Sequence, residues 1–383
     1  HAQQFLNNAP STRLFFSSEK NEAAFSLCSW KVRATGAPSI LANSIAQTLT
    51  HTHIEEYIAV GSACDVSFRH GVSSQSAASI KIYKIVYNAA NEMSLALLCK
   101  KPINALPSAL ASFQGYLLAA IGRELVLFEL VEGRRLEIKS VCGLFPSMIK
   151  SIHCQDQYDR IFVGDLHESF FWIDFSQGQL TVFAADSRPR LLTASVSLDA
   201  NTVAGGDKFG NFFLSRVQEQ TSRAASAECQ PWWLAFANRH VEQQVSPLHK
   251  AEEIAHFHVG ELITAVVNTR LSRTSRPIIV YMTVFGRIGA FIPFTRYDKY
   301  QLMHRLQTAL RKHKRFANVH AQHRSSYLNE RNVIDGDLCE QFICTLNPSE
   351  QQQIATSMGA NATVHQIYHD VDTIRPRSVH RFL

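Results

Sequence analysis

No two cysteines in this sequence are spaced CxxC, and the eight present, at 28, 64, 99, 142, 154, 229, 339 and 344, follow no regular interval. That excludes a disulfide framework and reads as reduced, mostly buried small residues of a cytosolic or nuclear protein. Also missing is any run near the roughly 18 apolar residues that a membrane-crossing helix needs, and no leader-like segment is visible. No membrane partner is expected. Charge is scarce, with Asp, Glu, Lys and Arg making up 18% of the 383 residues against 46% hydrophobic ones. The chain can therefore bury enough apolar surface to offset its ordering entropy and is not disordered overall. Its low charge points to large protein contacts.

Phenylalanine is common at 24 residues, against 4 Trp and 10 Tyr, which suits strand-rich packing. The formal charge of +6, with 17 His besides, makes the chain mildly basic. Lys and Arg are spread along it without the long stripe of an autonomous phosphate binder, so RNA contact is expected only indirectly or weakly.

From Glu22 to Phe294 short apolar runs alternate with turn residues, an all-β pattern. Ala109 to Phe113, Tyr116 to Ile121, Glu124 to Val131 and Arg135 to Val141 read as four antiparallel strands joined at Gln114-Gly115, Gly122-Arg123 and Glu132-Gly133. A second quartet is Met148 to His153, Arg160 to Val163, Ser169 to Phe175 and Gln179 to Phe183, closed by a Ser176-Gln177-Gly178 turn. A third is Leu191 to Val196, Thr202 to Ala204, Asn211 to Val217 and, after an insertion, Ile254 to His258. The group starts recur at roughly 40 residues, the period of four-stranded propeller blades.

An earlier blade assembles from Ala23 to Trp30, Tyr57 to Val60, Ile80 to Tyr87 and Ser94 to Cys99. The last, Leu262 to Val267, Ile278 to Thr283 and Ile288 to Ile292, has three strands. The expected architecture is an all-β β-propeller of about five four-stranded antiparallel blades, an incomplete ring, over 1–294, with insertions at 35–55 and 218–253. A small α-helical C-terminal domain follows over 295–383. An open ring leaves strand edges exposed, so closure is expected from chain outside this sequence.

The second insertion carries Trp232-Trp233, candidate partner-binding residues read as a docking patch packed on the blade. In the tail, Thr295 and Asp298 are placed to cap a helix whose stripe is Tyr300, Met303, Leu306 and Leu310. Its last turn is read as Arg311-Lys312-His313-Lys314-Arg315, positive where the helix dipole favours it. Arg311, Lys312, Lys314 and Arg315 are further candidates for partner contact, as a nuclear-import or RNA-binding segment, although a solvated helix end is the favoured reading. Asn347-Pro348-Ser349-Glu350 reads as a capping box with Gly359 as the stop, and Val364, Ile367, Tyr368 and Val371 mark another amphipathic helix.

Convergent chemistry is not found, so no catalytic residue, cofactor or metal is assigned. His249, His256 and His258, and His320 with His323, lack acidic or thiolate partners to complete a ligand set. Asp335 and Asp337 fit a turn capping a helix over Leu338 to Cys344 better than a carboxylate pair. Gly205-Gly206-Asp207-Lys208-Phe209-Gly210-Asn211 lacks the GxxxxGK[ST] order and lies between strands, so it is read as a turn.

Two runs nevertheless carry a resemblance: Thr202 to Asn211, with Asp207, Lys208, Phe209, Gly210 and Asn211, and Asn332 to Phe342, with Asp335, Gly336, Asp337, Glu340 and Phe342. Asn21 to Ser26, Ser112 to Gly115, Glu168 to Phe170 with Trp172, and His258 to Glu261 agree. On these the chain resembles the C-terminal part of the splicing factor 3b subunit 3 family. The large damaged-DNA-binding subunit and the largest cleavage and polyadenylation specificity factor subunit share its architecture. The resemblance implies a third propeller completed by other chain of the same protein. It also implies a nuclear, non-catalytic scaffold that holds the HEAT-repeat subunit of splicing factor 3b and its small zinc-finger subunit. A ubiquitin-ligase substrate adaptor and a subunit of the mRNA 3'-end cleavage and polyadenylation machinery are the alternatives on the same fold.

Overall fold

The computed structural model describes residues 21–33, 54–69, 72–87, 93–143, 145–225, 249–271, 276–316, 330–359 and 363–374. The fold is an all-β propeller type with helices after its last strand. Its first blade contains β1 (Glu22–Arg33), β2 (Ile54–Cys64), β5 (Ala77–Tyr87) and β6 (Met93–Ile103), hydrogen-bonded in that order. A small hairpin, β3 (Ser67–Arg69) and β4 (Val72–Ser74), which the sequence did not announce, interrupts it. The second blade is β7 (Pro107–Phe113), β8 (Tyr116–Ile121), β9 (Glu124–Val131) and β10 (Arg135–Cys142). The third is β11 (Ile149–Gln155), β12 (Arg160–Asp165), β13 (Ser169–Ser176) and β14 (Gln179–Asp186).

In the fourth blade β15 (Leu192–Ser197), β16 (Thr202–Asp207), β17 (Asn211–Arg216) and β18 (His249–His258) lie side by side. The fifth has three strands, β19 (Ile263–Thr269), β20 (Ile278–Thr283) and β21 (Ile288–Phe291). Helix α1 (Glu219–Ala225) follows β17, and the tail holds α2 (Tyr297–Lys312), α3 (Gly336–Cys344), α4 (Pro348–Ser357) and α5 (Val364–Ile374). Two compact units divide the chain, His1–Ala185 with Arg223–His249 and Asp186–Ser222 with Lys250–Leu383. The second therefore combines blades and helical tail.

In the first unit β1 faces β7, and β7 faces β11. A strand held between two blades buries both of its faces, which is why β8 reads as an unbroken apolar run. Leu117, Ala119 and Ile121 enter the core shared with Trp30, Ile80 and Ile82, while Leu118 and Ala120 enter the one shared with Phe113, Ile161 and Phe171. Two-residue hairpins of type I′ need positive φ at both positions. Gln114 and Gly115 (50° and 89°) and Gln177 and Gly178 (51° and 76°) supply it. The buried Trp30 indole donates to the Gly115 carbonyl at 3.0 Å, tying the first blade to the turn of the second.

In the second unit β15 faces β19, and Ala204, Phe212, Phe257, Ile263 and Tyr281 form the core, with Phe212 stacked on Phe291 at 3.9 Å. Buried charge stiffens it. Arg190 bridges Asp186 and Glu253, the latter at 2.5 Å, with its guanidinium 4.0 Å from the Phe213 ring centroid. Ser215 donates to the Asp186 carboxylate. The first unit has a counterpart in Arg160, paired with Asp174 across β12 and β13 and lying over Phe183.

The helical tail has its own core of Met303, Leu306, Leu310, Leu338, Phe342, Ile354, Ile367 and Val371. At its centre the buried Gln351 amide donates to the Phe342 and Leu346 carbonyls and to the Tyr368 hydroxyl.

Several expectations are corrected. The strand after the second insertion begins at His249, so residues 249–253 belong to β18 and not to the insertion. Gly205, Gly206 and Asp207 lie in β16, leaving a shorter turn. Helix α2 is capped at Arg296, whose guanidinium takes Asp298 as an ion-pair partner, so the Thr295 capping box does not form. That helix ends at Lys312, leaving Lys314 and Arg315 beyond its last turn. Only Cys142 and Cys339 of the described cysteines are fully buried, and Cys344 is exposed. Trp232, Trp233, His320, His323 and most of 35–55 lie outside the described residues.

Two consequences can be measured. Removing one partner of a buried ion pair strands the other, at about 3–5 kcal/mol; Arg190→Ala, which takes the buried guanidinium away from both Asp186 and Glu253, is expected to destabilise the fold by that order, read as a lower denaturant midpoint. Burial also pushes the half-buried His153 imidazole down to about 4. The unfolded chain, with His near 6.5, then binds the extra proton first. Stability is therefore fully present above pH 6.5 and falls as pH drops toward 4. Urea titrations should show a shallower fall for His153→Gln, and an unchanged slope would refute the assignment.

Candidate functional site

The Thr202 to Asn211 run places its side chains in two directions. Asp207, at the end of β16, is buried; its Oδ1 accepts the backbone N–H groups of Phe209 (2.8 Å) and Asn211 (2.9 Å), and its Oδ2 accepts the Asn211 side-chain amide (2.8 Å). Hydrogen bonds to a carboxylate are worth about 1.5–3 kcal/mol each, so this turn is held firmly. With its amide nitrogen committed to Asp207, Asn211 presents Oδ1 to His258 Nδ1 at 2.8 Å, which makes that ring nitrogen the donor. Burial holds the His258 imidazole below its usual range, with Asp207 pulling the other way. Gly210 takes φ +81°, and a Cβ there would fall 2.8 Å from the backbone of Glu261. Lys208 and Phe209 point into solvent.

The third blade repeats this device. Asp165 at the end of β12 is buried and accepts the N–H groups of His167 (2.9 Å), Glu168 (3.0 Å) and Ser147 (2.8 Å). Gly164-Asp165 and Gly206-Asp207 thus recur one blade apart, each followed two residues past the turn by paired phenylalanines, Phe170-Phe171 and Phe212-Phe213. The sequence signal of this internal repeat is a Gly-Asp pair followed at the same spacing by Phe-Phe in both blades.

The Asn332 to Phe342 run begins on β18. Arg331 and His256 exchange both backbone hydrogen bonds, at 3.0 and 2.9 Å, and the Asn332 amide donates to the Ile254 carbonyl at 2.7 Å. Asp335 is the N-cap of α3, which begins two residues before the expected Leu338 and so takes Asp337 into its first turn; the Asp335 Oδ1 accepts from the N–H groups of Asp337 (3.1 Å) and Leu338 (3.2 Å). Its own N–H donates to the buried Gln307 of α2. Phe342 is buried in the tail core, Glu340 is half-buried, and Gly336 and Asp337 are exposed. Both signature runs therefore converge on one strand, β18: the first through His258, the second through Ile254 and His256.

The basic pentapeptide divides. Arg311 forms a two-point pair with Glu330, and Arg315 donates to the Thr345 carbonyl at 2.8 Å with Glu350 3.6 Å away. These two brace the tail, while Lys312 and Lys314 stay exposed. His256 and His258 have separate structural uses, and among the described residues no three His, Cys, Asp or Glu are grouped to hold a metal ion. Burial pushes the Cys339 thiol up to about 12.

This is an all-β propeller-type architecture followed by helices, in which the two runs that carry the resemblance serve as turn lock and helix cap. The family model described as the CPSF A subunit region matches residues 10–344, and the chain belongs to that family. It is 35% identical over 347 residues to spliceosome-associated protein 130 A of Arabidopsis thaliana, covering 89% of this chain and 26% of that protein. It is 34% identical over 307 residues to pre-mRNA-splicing factor RSE1 of Mycosarcoma maydis, covering 79% and 24%. To splicing factor 3B subunit 3 of Drosophila melanogaster it is 33% identical over 325 residues, covering 84% and 25%. The chain spans about a quarter of the length of these relatives.

The cap at Asp335 yields a prediction. Replacing an N-cap Asp by Ala costs about 1 kcal/mol and by Asn very little. Asp335→Ala should speed amide exchange across Gly336–Cys344 and Asp335→Asn should leave it near wild type; equal exchange in both variants would count against the cap.

Proposed function

We propose that this chain is a non-catalytic protein-interaction scaffold of a splicing factor 3b type assembly, acting in the nucleus in the particle that recognises the intron branch site. The observation that carries this reading is the similarity to proteins named as splicing factors, at 33–35% identity across 79–89% of the chain. It favours splicing over the ubiquitin-ligase and 3'-end processing alternatives. The remainder of the same protein, the HEAT-repeat subunit of splicing factor 3b and its small zinc-finger subunit are the proposed partners. A scaffold needs rigid display and no reaction centre, and buried ion pairs with capped turns supply rigidity.

The domain reading, a propeller over 1–294 and a helical domain over 295–383, is part of the proposal, as is a ring closed by other polypeptide. Supporting the latter, the fifth blade is apolar on its outer face as well: Ala265, Met282 and Ile288 stand in one cross-strand row and Val267, Val280 and Ala290 in the next. Val267, Met282 and Ile288 are exposed there. Among the described residues β21 pairs only with β20. Such a face and edge match a blade that expects a neighbour.

Affinity purification of the intact protein from nuclear extract should recover a branch-site particle. Recovery of a cullin ligase in its place would overturn the proposal.

A further inference from the structure

Two hairpin tips in the second unit carry large apolar side chains that the fold does not use. Phe209, on the β16–β17 turn, is 67% exposed; Val284 and Phe285, on the β20–β21 turn, are 55% and 83% exposed. The tips are joined through Glu261, which lies between the fourth and fifth blades. Its backbone sits 2.8 Å from the space a Cβ on Gly210 would take, and its carboxylate accepts from Thr283 Oγ1 at 2.5 Å and pairs with Arg287 at 3.0 Å. The chain on either side of it is tied in as well. Val259 donates its N–H to the Gly210 carbonyl, and Val284 donates its own to the Leu262 carbonyl.

Asp207 and Glu261 thus fix both turns before any ligand arrives. Rings that flex freely lose entropy on docking, whereas rings on locked turns lose little, and exposed aromatics on rigid supports have the form of binding hot spots. The exposed charge adjoining the first tip is positive. Lys208 is exposed next to Phe209, while the carboxylates of Asp207 and Glu261 are each engaged internally. Stacking on single-stranded RNA would also use aromatics, but it needs a cationic groove that tracks phosphates. Here Arg287 is paired with Glu261, and the second tip adds aliphatic surface at Val284.

We propose that the Phe209 and Val284-Phe285 tips form a docking site for an apolar segment of another protein subunit that places an Asp or Glu against Lys208. The proposal rests on the scaffold reading and names one surface by which it acts.

The test uses the full-length protein, free and within its native nuclear complex. Oxidative footprinting should label Phe209 and Phe285 in the free protein and lose that labelling in the complex. Zero-length carbodiimide coupling of the complex should join Lys208 to a carboxylate of a different subunit. Phe209→Ser with Phe285→Ser should keep the wild-type melting temperature and lose the Lys208 crosslink. Labelling that is equal in free and assembled protein overturns the site. So does protection already present in the free protein, or a crosslink that stays within the chain, since either shows that its own polypeptide covers the tips. Ultraviolet crosslinking of RNA to Phe209 overturns it in favour of nucleic acid. Should the wild-type protein enter no complex, the scaffold reading itself fails, whereas a complex with exposed tips removes only this surface.

Discussion

A carboxylate that gathers N–H donors at the end of a blade's second strand is the constraint on which the second unit depends. Asp207 closes the β16–β17 turn, and through Asn211 it sets the His258 side chain on β18. The same closure brings Gly210 against Glu261, so the fifth blade is placed by a turn in the fourth. Buried carboxylates are costly unless fully bonded, and a bonded one tolerates little movement of its donors. The cost of burying Asp207 is thereby converted into positional precision over neighbouring strands. Asp165 does the same in the third blade.

β18 is the strand where this precision is passed on. One end receives Asn211 through His258, while the middle pairs with Arg331 and accepts from Asn332. Val333 then packs on the core of the fifth blade, and Asp335 starts α3. The tail helices are consequently anchored by backbone hydrogen bonds as well as by side-chain packing. A scaffold gains from this arrangement because the surface it presents stays fixed in the absence of partners.

The strands were legible in the sequence because both faces of a blade are buried and the turns must adopt positive φ. Leu117 to Ile121 between Gln-Gly and Gly-Arg turns has few other readings. The capping box at Asn347 and Glu350 and the Asp335 cap were equally local and were read at their residues. What stayed hidden depends on pairs far apart in the chain. Arg190 with Glu253, Asn211 with His258 and Arg331 with His256 share no spacing rule, since each is fixed by where strands happen to lie. The Thr295 cap failed for a related reason: Arg296 competes for Asp298 at close range, and the helix starts one residue later.

The Asp207 to Asn211 run shows why a short conspicuous string can be structural and functional at once. Its outer members, Asp207 and Asn211, turn inward and hold the loop, while Lys208 and Phe209 between them turn outward and take no part in that bonding. A turn of this kind must be closed by polar groups, because its backbone donors would otherwise be buried without acceptors. Nothing in closure requires a phenylalanine at the tip, where most polar residues would be more soluble. The lock therefore accounts for Asp207, Gly210 and Asn211, and leaves the two side chains displayed on it to be explained by what lies outside the fold.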